Sequence, residues 1–154
     1  MKQVFFFMTM VAMLSIVSCR PSDEVVITTQ EAANIEFVEG KTIEQVLEQA
    51  QLEGKPIFID FYTTWCAPCK WLEQDVFSLP NVAGYYNENF INFKVNAEDF
   101  DYVALAQEYE VGAYPTLLFL TQDGEFIRKE EGTTSASKFI EWGKDAVIQN
   151  EDVK

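Results

Sequence analysis

The sequence predicts an α/β domain on a central mixed sheet flanked by helices, and three observations carry that expectation. Short apolar runs alternate with stretches of helical period over most of the chain. One of those runs, IFIDFY at 57–62, has the continuous apolar character of a strand buried on both faces, and TLLFL at 116–120 reads as a further strand. Gln122-Asp123-Gly124 between TLLFL and FIRKEEG reads as a hairpin turn, which adds an antiparallel pair to strands otherwise joined by helices.

Taken in order, Ile35–Val38 reads as a short first strand. Thr42 to Leu52 places Ile43, Val46, Leu47 and Ala50 on one helical face, and Thr42 with Gln45 forms a capping box. Gly54-Lys55-Pro56 ends that helix and introduces IFIDFY. A helix opening at the Cys66/Cys69 pair runs to about Phe77, with Leu72 and Val76 at i and i+4. Val82 to Asn89 is helical, INFKVN a strand, and Tyr102 to Tyr109 a helix. After the hairpin, Ser135 caps a last helix carrying Phe139, Ile140 and Val147.

The start of the chain sets the compartment. Residues 1–18 hold one lysine, then an apolar run from Val4 to Val17, shorter than the roughly 20 residues a spanning helix needs, and so read as a signal peptide. Ile16-Val17-Ser18-Cys19 resembles a bacterial lipobox, which implies that Cys19 becomes the lipidated first residue of the mature chain. An ordinary cleavage site followed by a stray cysteine is the alternative. Acyl chains at Cys19 imply an anchor in a lipid bilayer on the outer side of a membrane. Residues 19–34, opening with Arg20-Pro21-Ser22-Asp23-Glu24 and lacking a sustained period, read as lipidated cysteine and flexible tether; residues 35–154 are the domain.

The formal net charge of −14 excludes a nucleic-acid surface, since so acidic a chain is repelled by phosphate backbones. The acids are dispersed rather than gathered in one block, as on a solubilising surface.

Cys66 and Cys69 follow the buried strand directly, with only Ala67 and Pro68 between them. A closed zinc site needs four ligands, and this chain has three cysteines, one of them Cys19, and no histidine, so no metal is expected. A structural disulfide remains open, although a loop this short constrains the unfolded chain little. A redox pair accounts for more of the pattern. At the first turn of a helix the two cysteines share a face, and Cys66 takes the cap position. Pro68 has no N–H, so of the amides an N-cap side chain meets, only that of Cys69 is available to the Cys66 sulfur. That amide and the helix dipole favour a thiolate at Cys66, the attacking sulfur, with Cys69 resolving the mixed disulfide.

Trp65-Cys66-Ala67-Pro68-Cys69-Lys70 after Asp60-Phe61-Tyr62 resembles a thioredoxin active site. Lys94 on the next strand, Tyr114-Pro115-Thr116, the Asp123-Gly124 turn and Gly132 extend that resemblance over Ile35 to Ile148. The stretch Lys55 to Phe77 is also similar to the soluble C-terminal thioredoxin-like domain of the bacterial transmembrane thiol:disulfide interchange reductases. The resemblance implies a thioredoxin fold with its CxxC at a helix start. It implies that Asp60, raised in pKa by burial, relays a proton to or from Cys69, and that Lys94 neighbours and tunes Asp60. A merely hydrogen-bonded carboxylate and a snorkelling lysine are the alternatives for these two. Trp65 shields the sulfurs, or is ordinary core. The resemblance further implies that Pro115 is cis and faces the disulfide, so that the backbone before it pairs with a substrate strand. Trp65, Ala67, Pro68, Tyr114 and Pro115 together form the substrate-binding set. Tyr114 departs from the small or aliphatic residue usual there, which bears on substrate range.

The expected function is a membrane-anchored thiol-disulfide oxidoreductase of the cell envelope, periplasmic or cell-surface. As a monomer with no cofactor beyond its own Cys66–Cys69 couple, it reduces disulfides in extracytoplasmic client proteins. Without the spanning domain of the interchange reductases, it draws electrons from a separate membrane donor. An oxidase or isomerase on the same fold is the first rival reading, and a non-catalytic binding module the second. Intact Cys66, Cys69, Asp60 and Pro115 weigh against the module.

Overall fold

The structure is a computed structural model, described for residues 34–153. The signal peptide, Cys19 and the tether up to residue 33 lie outside the described residues. Helix α1 (Ile43–Glu53) is opened by Thr42, whose hydroxyl accepts from the Gln45 N–H while the Gln45 side chain accepts from the Thr42 N–H. It stops at Gly54, which sits at φ 66°, a left-handed conformation that favours glycine. Then follow β1 (Ile57–Tyr62), α2 (Ala67–Leu72), a π-helical turn (Glu73–Phe77), α3 (Pro80–Asn89), β2 (Ile91–Asn96) and α4 (Val103–Glu108). The hairpin of β3 (Thr116–Leu120) and β4 (Phe126–Glu131) leads into α5 (Ala136–Glu151), capped by Ser135.

The four strands lie in the order β2-β1-β3-β4, with β1 parallel to β2 and antiparallel to β3, and β3 antiparallel to β4. This is the mixed sheet expected of a thioredoxin fold. Period-two alternation sorts the strand side chains between two cores. Ile57, Ile59, Phe61, Ile91, Phe93 and Val95 pack with Val46 and Ala50 of α1 and Leu105 and Ala106 of α4. Phe58, Leu117 and Phe119 pack on the other face, against Leu72, Val76, Phe77, Tyr86, Phe139 and Trp142. Each fully buried large apolar side chain contributes about 1.5–3 kcal/mol. Tyr86 stacks on Phe139 at 4.1 Å and donates its hydroxyl to the Phe139 carbonyl at 2.8 Å, so its polar end is satisfied inside the core.

Three local expectations are corrected. Ile35–Val38 is not a strand: only Val38 bridges β2, opposite Phe93. Its neighbours' amides go elsewhere, Ile35 to the Phe77 carbonyl and Glu36 to the Asn87 side chain, so no ladder forms. The helix from the cysteine pair does reach Phe77, but its last turn widens to π-helix, bringing consecutive Val76 and Phe77 into the same core. α3 also begins earlier than its apolar pattern indicates, at Pro80, whose fixed φ suits a first helical position.

Candidate active site

The site is assembled where the C-terminal ends of β1 and β2 meet the start of α2. Cys66 is the N-cap of α2 at φ −70°, ψ 102°, and its Sγ accepts from the Cys69 N–H at 3.1 Å. This is the one amide that Pro68 leaves available. The Cys66 N–H is itself used, donating to the Thr63 carbonyl at 3.2 Å. Cys66 and Cys69 form a disulfide with a Cα–Cα distance of 5.4 Å. Both are buried, at 2% and 7% exposure, whereas Ala67 between them is exposed.

Asp60 reaches the site through strand alternation. Ile59 and Phe61 belong to the α1/α4 core, so Asp60 shares with Phe58 the face on which α2 lies. It is 3% exposed, and its Oδ1 is buried with no hydrogen-bond partner. Burial raises its pKa from the usual 3.8 to about 7; Lys94 pulls the other way, and Glu73 adds a further upward push.

Lys94 is the register partner of Asp60 on β2, yet its ammonium pairs with Glu73 of the π-helical turn at 2.7 Å. The same Nζ lies 4.8 Å from the Tyr62 ring centroid and 5.6 Å from that of Phe37. Lys94 therefore acts on Asp60 as a neighbouring charge while its direct bond goes to a second carboxylate. Nothing local in the sequence links Glu73 to a lysine on another strand, so this pair is seen only in the structure.

Trp65 is 65% exposed and its indole N–H donates to both carboxylate oxygens of Glu98, at 3.0 and 3.1 Å. Its ring meets that of Tyr114 edge to face, with centroids 6.0 Å apart. The Tyr114–Pro115 peptide bond is cis, and the buried Pro115 accepts from the Gly132 N–H at 2.8 Å. Cys66, Cys69, Trp65, Asp60 and the Tyr114–Pro115 turn are thus gathered at one end of the sheet, since the β1–β3 register sets Phe61 opposite Thr116. Glu98 was not singled out from the sequence; an acid in an acidic loop carries no signal of what it binds.

A model of the thioredoxin-like domain matches residues 43–146, most of the chain. The chain belongs to the thioredoxin-like domain family. The thiol:disulfide interchange protein DsbD of Escherichia coli is 35% identical over 101 residues, covering 64% of this chain and 18% of that protein. The chain thus spans under a fifth of the length of the curated relatives it matches. Among solved structures, the C-terminal domain of Neisseria meningitidis DsbD in its oxidised form is 29% identical, with a TM-score of 0.57, covering 67% of this chain and 91% of that one. A candidate disulphide-isomerase from Bacteroides thetaiotaomicron is 38% identical, with a TM-score of 0.67, covering 76% of this chain and 96% of that one. The thioredoxin-like domain thus carries its CxxC disulfide at the start of α2, the helix that lies on the same face of the sheet as a buried acid of raised pKa. No helix among the described residues is long and apolar enough to cross a membrane.

Proposed function

We propose that this thioredoxin-like protein is a thiol-disulfide oxidoreductase of the cell envelope, anchored through Cys19, that reduces disulfides in extracytoplasmic client proteins. The observation that carries the reading is the single amide of Cys69 on Cys66 Sγ, with buried Asp60 on the same face of the sheet. In the reduced enzyme the Cys66 thiolate attacks one sulfur of a client disulfide, and the client's other sulfur leaves as a thiolate. Asp60 accepts the proton of Cys69, whose sulfur attacks Cys66 Sγ, closes the Cys66–Cys69 disulfide and releases the second client thiolate. Two electrons have passed to the client. A separate membrane dithiol returns them by the same exchange in reverse. Lys94 and Glu73 set the charge around Asp60, and Tyr114 and Pro115 line the edge along which the client strand docks. Similarity to the C-terminal domain of DsbD supports both the chemistry and the compartment.

Similarity to the candidate disulphide-isomerase supports a second reading, and redox poise separates the two. A couple gives electrons when little stabilises its reduced, thiolate-bearing form. Here Pro68 removes one capping amide, and the chain contains no histidine, the residue that strongly oxidising relatives usually hold between their cysteines. The couple is therefore expected near thioredoxin's roughly −270 mV, and below about −220 mV, rather than near the periplasmic oxidant's roughly −120 mV. Equilibration against glutathione or dithiothreitol measures it. A value above about −180 mV replaces the reductase by an oxidase or isomerase.

A further inference from the structure

The stretch from Asn34 to Val38 forms no strand, yet it is closely tied to the domain. The Asn87 side chain of α3 bridges it, Oδ1 accepting from the Glu36 N–H at 2.8 Å and Nδ2 donating to the Asn34 carbonyl at 3.0 Å. The Ile35 N–H donates to the Phe77 carbonyl at 3.2 Å, the Val38 N–H to the Asn92 carbonyl at 2.8 Å, and Asn92 Nδ2 to the Glu36 carbonyl at 3.4 Å. Phe37 is held between these bonds. Its ring meets Phe77 and Phe58, with centroids 5.9 and 6.2 Å apart, and its centroid lies 5.6 Å from Lys94 Nζ. Through Phe37 the segment by which the chain enters the domain touches the charges behind the CxxC helix.

Those charges act on Asp60. It is faced by Lys94 from β2 and by Glu73 from the π-helical turn. β3 sets the uncharged Leu117 opposite it, and on α2 the two cysteines are joined and do not titrate. Lys94 is drawn outward by its partner, because the Glu73 side chain is 55% exposed and lines, with Phe37 and Phe77, a cleft of about 540 Å³. Even so, the Lys94 side chain is only 17% exposed, with the rings of Tyr62 and Phe37 against its ammonium. Tyr62 stands two residues after Asp60 on the same strand, whereas Phe37 comes from outside the sheet.

We propose that Phe37 is a positioning residue of the redox site: its ring keeps the Lys94 ammonium from turning out into the cleft, and so sets the pH at which Asp60 exchanges its proton. A cation sheltered against ring faces acts on a neighbouring carboxyl with less screening than one extended into solvent. The stretch that leads up from Cys19 thereby contributes a side chain to the proton balance of the site. The assignment rests on the oxidoreductase reading above, and it adds how the buried acid of that site is tuned.

The test follows the Asp60 carboxyl carbon resonance of the full oxidised chain with pH and, beside it, the pH profile of peptide-disulfide reduction. Phe37→Leu and Phe37→Met, which fill the space without a ring, are each expected to raise the carboxyl midpoint by about half a pH unit, the scale of one cation–π contact. Phe37→Tyr keeps the ring and stays at the wild-type midpoint. In a Lys94→Met background Phe37→Leu adds nothing further, whereas a merely structural role would act in both backgrounds. The reduction profile moves to higher pH with the midpoint. An unchanged or lowered midpoint in both ringless variants, or an equal rise in the Lys94→Met background, overturns the assignment alone. A midpoint that rises while the reduction profile stays put overturns the link from Phe37 to the exchange reaction. A wild type that reduces no peptide disulfide overturns the oxidoreductase reading, and the carboxyl midpoints still decide whether Phe37 positions Lys94.

Discussion

Replacing Asp60 by Asn tests the buried acid directly. The two side chains have nearly the same shape, so the substitution removes the titration with little change in packing. In the native protein the Asp60 pKa is about 7 against 3.8 for an unburied aspartate, a raised value caused first by burial. Below pH 3.8 the acid is neutral in both folded and unfolded chains and contributes nothing to the pH dependence. Between 3.8 and about 7 the unfolded chain ionises while the folded one holds its proton, so stability falls as pH rises; above about 7 the penalty is complete. At about 1.4 kcal/mol per pH unit, the interval from 3.8 to 7 corresponds to about 4 kcal/mol. The Asp60→Asn protein is therefore expected to gain stability relative to the wild type by about 4 kcal/mol between pH 3.5 and pH 8. Urea unfolding of both oxidised proteins across that range measures it, and oxidation keeps cysteine titration out of the comparison. A constant cost of burying an amide shifts the whole curve and leaves its slope alone. A stability difference that stays flat from pH 3.5 to pH 8 would refute the claim that burial raises the Asp60 pKa.

Lys94→Met and Glu73→Gln should displace that transition in opposite directions. Losing the cation raises the Asp60 pKa further, and losing the anion lowers it; the same unfolding series reads both. Cys69→Ser should leave Cys66 able to attack but never released, so mixed disulfides with clients accumulate on non-reducing gels; equal trapping by Cys66→Ser would reverse the two roles. Cys19→Ala should move the protein from the membrane to the soluble fraction or leave it uncleaved, and a cleaved form still fully membrane-bound would remove the anchor from the proposal.

What the sequence made legible was local. The cap at Cys66 depends on residues three apart and on the N–H that Pro68 lacks, both visible in WCAPC. The burial of Asp60 follows from its place inside IFIDFY, where alternation aims it under the CxxC helix. The features that escaped join distant segments. Lys94 and Glu73 are 21 residues apart, Trp65 and Glu98 33 apart, and neither pair is implied by any spacing. Ile35–Val38 has the composition of a strand, but its amides are divided among a helix end, a side chain and β2. Widening to a π-turn at Glu73 answers the packing of Phe77 against both Phe58 and Phe139 with its neighbour Val76 in the same core, which no helical period encodes.

The hydrogen bond from the Ile35 N–H to the Phe77 carbonyl fixes where the polypeptide enters the domain. Phe77 closes the helical segment that Cys66 opens, so at about 1.5 Å per residue the entry point lies about 15 Å from the disulfide, at the opposite end of the same rod. Whatever holds the chain upstream of Asn34, a bilayer, a bead or a sensor chip, therefore grips it by the far end of that rod. A grip applied there acts on the domain at the end of the rod away from the disulfide.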